Sequence, residues 1–149
     1  MKADIRQRIN VQVHVRAAGS DDDWVLVSEE HNRLTTLGIE ALTRIWSGAQ
    51  FRPNQVRLGT GTSTPAPSQT ALDTEVYAGS IDRYTHPAND TVVFSTLLTI
   101  ADGNGNTLAE AALYVDETMI SRAAINPPIV KTASIEAKIQ FKYTLAEEL

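Results

Sequence analysis

The sequence predicts a mainly β protein, an antiparallel β-sandwich with one amphipathic α-helix at about residues 34–47. Three observations predict it. Near the N-terminus Ile9, Val11, Val13 and Val15 occupy every second position, with Asn10, Gln12 and His14 between them, which is the period of a half-buried strand. Near the C-terminus Ile135, Ala137, Ile139, Phe141 and Tyr143 alternate with Glu136, Lys138, Gln140 and Lys142 in the same way. Between Leu34 and Trp46 alone the apolar spacing changes to three and four. With 149 residues, 42% of them hydrophobic, the chain is the size of one domain and has enough apolar material for a core, so a single domain over residues 1–149 is expected.

The elements follow in order. Ala17 to Asp23 is small, polar and acidic, so it turns the chain, and Trp24 to Val27 reads as a strand returning along the first to make a hairpin. The helix stripe is Leu34, Leu37, Ala41, Leu42, Ile45 and Trp46, with Gly48 placed for a C-terminal cap. Burial of that stripe is expected to hold it, because the exposed Glu40–Arg44 pair is worth only about 0.2–0.5 kcal/mol. Gln55 to Leu58 is a short strand running into the loop "LGTGTSTPAPSQTALDTEV". Pro65 and Pro67 fix their own φ angles and push Thr64 and Ala66 toward extended geometry, so the loop is predicted to be stiff, with one helical turn starting at Ser68 and a strand at Glu75 to Tyr77.

The second half reads as all β. Thr91 to Ile100 and Thr107 to Val115 are separated by "DGNGN", Asp102 to Asn106, a hairpin signal. Met119 to Ile125 gives a further strand, and Pro127 and Pro128 are expected to break the chain before the last one. That last strand, Ser134 to Thr144, extends beyond about 30 Å at roughly 3.3 Å per residue. The long terminal strands are predicted to serve subunit contacts if they lie at a sheet edge.

The same residues argue against most chemistry. A net charge of -5 gives no global attraction to nucleic acid or to an anionic membrane, and no segment has the apolar length of a signal peptide core or a membrane span. Without cysteine there are neither disulfides nor thiolate metal sites. Gly59 and Gly61 begin a G-x-G, but Thr64 stands where a closing glycine belongs and no Gly-Lys-Ser/Thr follows, so a nucleotide cofactor is not expected. The residues Gly59, Thr60, Gly61, Thr62, Pro65 and Pro67 read instead as a preformed contact loop.

His14, His31 and His86 have no partner at metal-ligand spacing. Asp21, Asp22 and Asp23 offer oxygens to a cation such as calcium, but more simply solvate a turn, and counting twelve positions from Asp102 reaches Leu113, not the glutamate a calcium loop requires. No serine lies in a G-x-S-x-G elbow. Glu110 stands among small apolar residues, where a carboxylate needs a cation or backbone amides, and Arg122 is the candidate partner for a structural ion pair rather than a catalytic one. Trp24, Trp46 and Tyr77 have faces suited to sugar rings but also suit a core. Catalytic residues, metal ligands and cofactors are all expected to be none.

The helix "LTTLGIEALTRIWSG", the loop "VRLGTGTSTPAPSQTALDTEV" and the later stretches "AEAALYV", "MISRAAI" and "NPPIVKTAS" together resemble a family of small tailed-bacteriophage virion proteins associated with tails, tail fibres or baseplates. The likeness runs from about Leu34 to Tyr143 and rests on Leu58–Thr62, Thr70–Leu72 and Pro127–Lys131. It implies a non-enzymatic structural protein of the virion, assembled in the host cytoplasm in symmetric copies. Its partners would be sister subunits and other phage virion proteins, with no nucleic acid and no membrane. Tail, baseplate and neck or collar remain open as its place; a capsid decoration protein and a receptor- or glycan-binding module of a tail fibre are the alternatives.

Overall fold

The computed structural model describes residues 4–50 and 52–148. Its strands are β1 (Asp4–Ala17), β2 (Val25–His31), β3 (Arg33–Leu34), β4 (Gln55–Gly59), β5 (Glu75–Ser80), β6 (Arg83–Ala88), β7 (Thr91–Leu98), β8 (Asn106–Val115), β9 (Thr118–Lys131) and β10 (Ile135–Glu148), and its helix is α1 (Thr36–Trp46). They build two five-stranded sheets, β2-β1-β10-β7-β6 and β3-β9-β8-β4-β5, paired antiparallel throughout. The predicted sandwich is therefore the observed architecture.

Alternation decides which side of each strand meets the other sheet. Val11 and Val13 of β1, Phe94 and Leu98 of β7, and Ala137, Ile139 and Phe141 of β10 face Val56, Leu58, Leu108, Ala111, Leu113, Ala123 and Ile125 of the second sheet in one core. Each large member contributes about 1.5–3 kcal/mol by leaving water. Strand β8 is buried on both sides from Leu108 through Tyr114, as its neighbour β9 is from Met119 through Ala123. Its outward residues Ala112 and Tyr114 join Met119 and Leu72 in a second, smaller cluster, so something covers the outer face of this sheet.

Several expectations are corrected. The terminal strands are not edges: β1 and β10 pair with each other along Asp4–Ala17 and Ile135–Glu148, with β2 and β7 outside them. "DGNGN" is not a β-hairpin, because β7 and β8 belong to different sheets. It carries the chain across the sandwich, using positive φ at Gly103 and Gly105 and bonds from Gly105 N to the Lys131 carbonyl (2.9 Å) and from Lys131 Nζ to Asn104 Oδ1 (2.9 Å). Pro127 and Pro128 do not end a strand either; β9 passes through them, and Ile125–Pro128 bulge out opposite the single residue Ala109, where the missing amide hydrogens break no ladder bond. Strand β6 lies where no strand was expected, because His86, Pro87 and Ala88 hide the alternation.

The helix starts later than its apolar period, since Leu34 belongs to β3. Thr35 is the N-cap: its hydroxyl accepts from Gly38 N (2.9 Å) and donates to the Met119 carbonyl (2.7 Å). Gly38 lies against the Ile120 backbone, where a Cβ would overlap the carbonyl. The helix thus covers the edge of β9 just beyond the end of β3. Its apolar stripe is buried only in part: Leu34, Ala41, Leu42 and Ile45 are half-buried, with Ala41 packed on the core, whereas Leu37 is exposed and Trp46 is 79% exposed; Gly38 is the fully buried residue, and Ile39, outside the stripe, is 53% exposed. The cap and the close backbone approach hold it together with this half-buried side.

Candidate functional site

The cover over the outer face of the second sheet is the glycine- and proline-rich loop itself. In that face Glu110 of β8 is flanked by Gly59 of β4 and Ala124 of β9, and Ala112 by Arg57 and Arg122. Small neighbours leave a shallow depression above Glu110, and the diagonal position of Arg122 brings its guanidinium over it. Residues 60–74 fold across this depression, with Leu72 seated on Ala112, Tyr114 and Met119.

Glu110 and Arg122, 0% and 1% exposed, form the ion pair proposed from the sequence, with Arg122 Nη2 2.8 Å and Nε 3.1 Å from Glu110 Oε2. The same carboxylate accepts backbone amides from three loop residues: Gly61 N (3.0 Å) and Thr74 N (2.8 Å) on Oε1, and Asp73 N (3.0 Å) on Oε2. Arg122 in turn donates to the Ser63 carbonyl (2.8 Å), Gln69 Oε1 (3.3 Å) and Asp73 Oδ2 (3.3 Å). A side chain on Gly59 or Gly61 would overlap the Glu110 carboxylate and the backbone of Thr74 or the side chain of Asp73. The glycines are required by close approach, not by an unusual φ.

The resulting geometry resembles an anion cradle, with converging amides beside a guanidinium, but the anion is the protein's own. Burial by itself pushes the Glu110 carboxyl up; the Thr74 amide, Arg122 and the amides of Asp73 and Gly61 together outweigh it and hold the group below the ordinary glutamate range. Asp73 is also held low, first by the hydroxyl and amide of Ser63, with Arg122 adding to the effect against the cost of burial. Both carboxylates stay ionised and engaged. Such a site can hold a loop; it leaves Glu110 no lone pair directed at a substrate.

The contact-loop residues divide by where they point. Gly59 is buried, Thr60, Gly61 and Pro65 are half-buried, and Thr62 and Pro67 are exposed. The outward surface is thus made by Thr62, Ser63, Thr64, Pro67 and Ser68. The turn inside the loop spans Ala66–Gln69 rather than starting at Ser68, closed by Gln69 N to the Ala66 carbonyl (3.2 Å) and by Ala66 N to Gln69 Oε1 (2.9 Å). Thr36 N donates to the Pro67 carbonyl (2.8 Å), tying the loop to the first turn of α1. Beside it, Thr64 and Pro65 form one wall of a cavity of about 480 Å³ shared with Ile9, Asn32, Arg33 and Leu34.

Sequence reasoning missed Asp73, Gln69 and Ser63 as members of this network. An acid six residues beyond Pro67 carries no spacing rule; only the fold shows that it meets Arg122. Among the described residues no three of His, Asp and Glu gather as a metal site, and Asp21, Asp22 and Asp23 are exposed. His31 Nδ1 lies 3.3 Å from Asn10 Oδ1, and His14 stands opposite Lys138. No helix among the described residues is long and apolar enough to cross a membrane. No protein-family profile, curated protein or solved structure matches this chain.

Proposed function

We propose that this chain is a non-enzymatic structural protein of a tailed-phage virion, assembled in symmetric copies in the tail, baseplate or neck and collar. The observation that carries the reading is the loop clamp: the most deeply buried charged pair, Glu110 and Arg122, has its polar atoms engaged in fixing residues 61–74 as a shaped outer surface. Rigid display suits docking, because a surface already ordered loses little conformational entropy on binding. The exposed Ile39 and Trp46 of α1, on the element joined to that loop through Thr36 and Pro67, add an apolar patch of the kind that sister subunits bury. The "LGTGT" and "PPIVK" stretches, which carry the likeness to phage virion proteins, form the end of β4 with the start of the clamped loop, and the last part of β9 from its bulge to its end.

Light scattering on the purified chain, together with mass spectrometry of purified particles, tests this. Closed oligomers and presence in the particle are expected. A strictly monomeric protein absent from particles overturns it.

A further inference from the structure

The outer face of the first sheet holds a second groove, unrelated to the clamped loop and independent of how the chain assembles. Lys138 of β10 occupies its floor beside Gln140, with Leu97 and Ser95 of β7 directly opposite them. Arg83 of β6 lies across from Ser95, and on the other side Trp24, just before β2, brings its ring 4.3 Å from the Arg16 guanidinium carbon and 5.0 Å from the Lys138 ammonium. The cavity between them is about 490 Å³.

Its charges are unbalanced. Arg16 pairs with Glu136 (3.2 Å) but keeps a buried Nε without a hydrogen-bond partner, and Asp82 is occupied by the Leu97 amide (2.7 Å). Arg83 and Lys138 have no ion-pair partner among the described residues. Lys138 is pushed below the ordinary lysine range by burial first and then by Arg16 and Arg83, as expected where like charges converge. Arg16, Arg83 and Lys138 thus stand against Asp82 and the Glu136 partner of Arg16, an excess of one positive charge in a protein of net charge -5.

We propose that this groove binds an acidic saccharide, with the sugar carboxylate between Lys138 and Arg83, its hydroxyls on Gln140 and Ser95, and its ring against the edge of the Trp24 indole, whose face carries the cations. Each part matches one feature of such a ligand: charge for the carboxylate, amide and hydroxyl for the sugar hydroxyls, and an aromatic edge for the apolar C–H surface. Nucleic acid fits worse, because the cations are confined to one groove and do not form a stripe that tracks a backbone.

The test uses the full chain carrying Trp46→Phe, so that Trp24 alone reports by fluorescence. Titration with a hexuronic-acid oligosaccharide is expected to give saturable binding, with a dissociation constant on the order of millimolar or tighter. Binding should weaken about tenfold in Lys138→Gln and again in Arg83→Gln, and should fall as salt rises. A neutral oligosaccharide of the same length should bind at least about tenfold more weakly. Heteronuclear NMR shifts at Lys138 and Gln140 keep the test valid if the tryptophan signal is silent, and thermal melts matching the parent show that the variants fold. No shift at these residues, equal binding of the neutral sugar, inorganic sulfate binding as tightly as the oligosaccharide, or affinity indifferent to both substitutions overturns the proposal.

Discussion

Glu110 accepts three backbone amides as well as Arg122, so it cannot be exchanged like half of an ordinary ion pair. Glu110→Gln leaves the buried guanidinium with only the more distant, partly exposed Asp73 as counter-charge, and a loss of about 3 kcal/mol is expected in urea unfolding. An apolar replacement of both partners restores many buried pairs, but here it strands the amides of Gly61, Asp73 and Thr74, so Glu110→Leu with Arg122→Met should remain destabilised and should expose residues 60–74 to limited proteolysis. The pH dependence has a definite sign. Because Glu110 and Asp73 titrate below their unfolded values, their contribution is fully present above the ordinary carboxylate range and is lost as pH falls through the lower, folded values. Acid should therefore destabilise the parent more than Glu110→Gln, which unfolding curves at neutral and acid pH will show. The pair itself was legible, since a carboxylate amid "LAEAALY" has to find a cation. The amides were not, because only the fold brings Gly61 and Thr74 to the same oxygen.

At the scale of elements, α1 is anchored at its beginning and open along its side. Gly38→Ala should push the helix off β9 and cost more than any exposed helix substitution, whereas Trp46→Ala should change monomer stability by less than about 0.5 kcal/mol while reducing self-association in light scattering. Loss of stability equal to that of Gly38→Ala would show that the indole is buried in the monomer. The periodicity of residues 34–46 located the helix well but overstated how much of its stripe is buried, because an apolar residue such as Trp46 looks the same on the sequence whether it meets the protein's own core or another surface. Strands were legible where alternation is clean, in β1 and β10. They were not where proline or a bulge interrupts it, in β6 and in β9 at Pro127, since the cost of proline depends on whether its position carries a ladder bond.

Across the whole molecule, the first and last strands lie side by side, with Asp4 opposite Glu148. A circular permutant that joins the two ends through a short flexible linker and opens the chain at exposed Asp22 should keep the native circular-dichroism spectrum and melt within a few degrees of the parent. Deleting residues 135–148 should leave no cooperative unfolding transition, since β10 separates β1 from β7. The sandwich class was readable from the number and spacing of short strands, but the assignment of strands to sheets was not, because "DGNGN" turns the chain equally well into a hairpin or a crossover. The arrangement also sets an order of events on the ribosome. All five strands of the second sheet lie within residues 33–131, so its pairing can be complete while residues 135–148 are still in the exit tunnel; the first sheet stays split in two until that segment emerges.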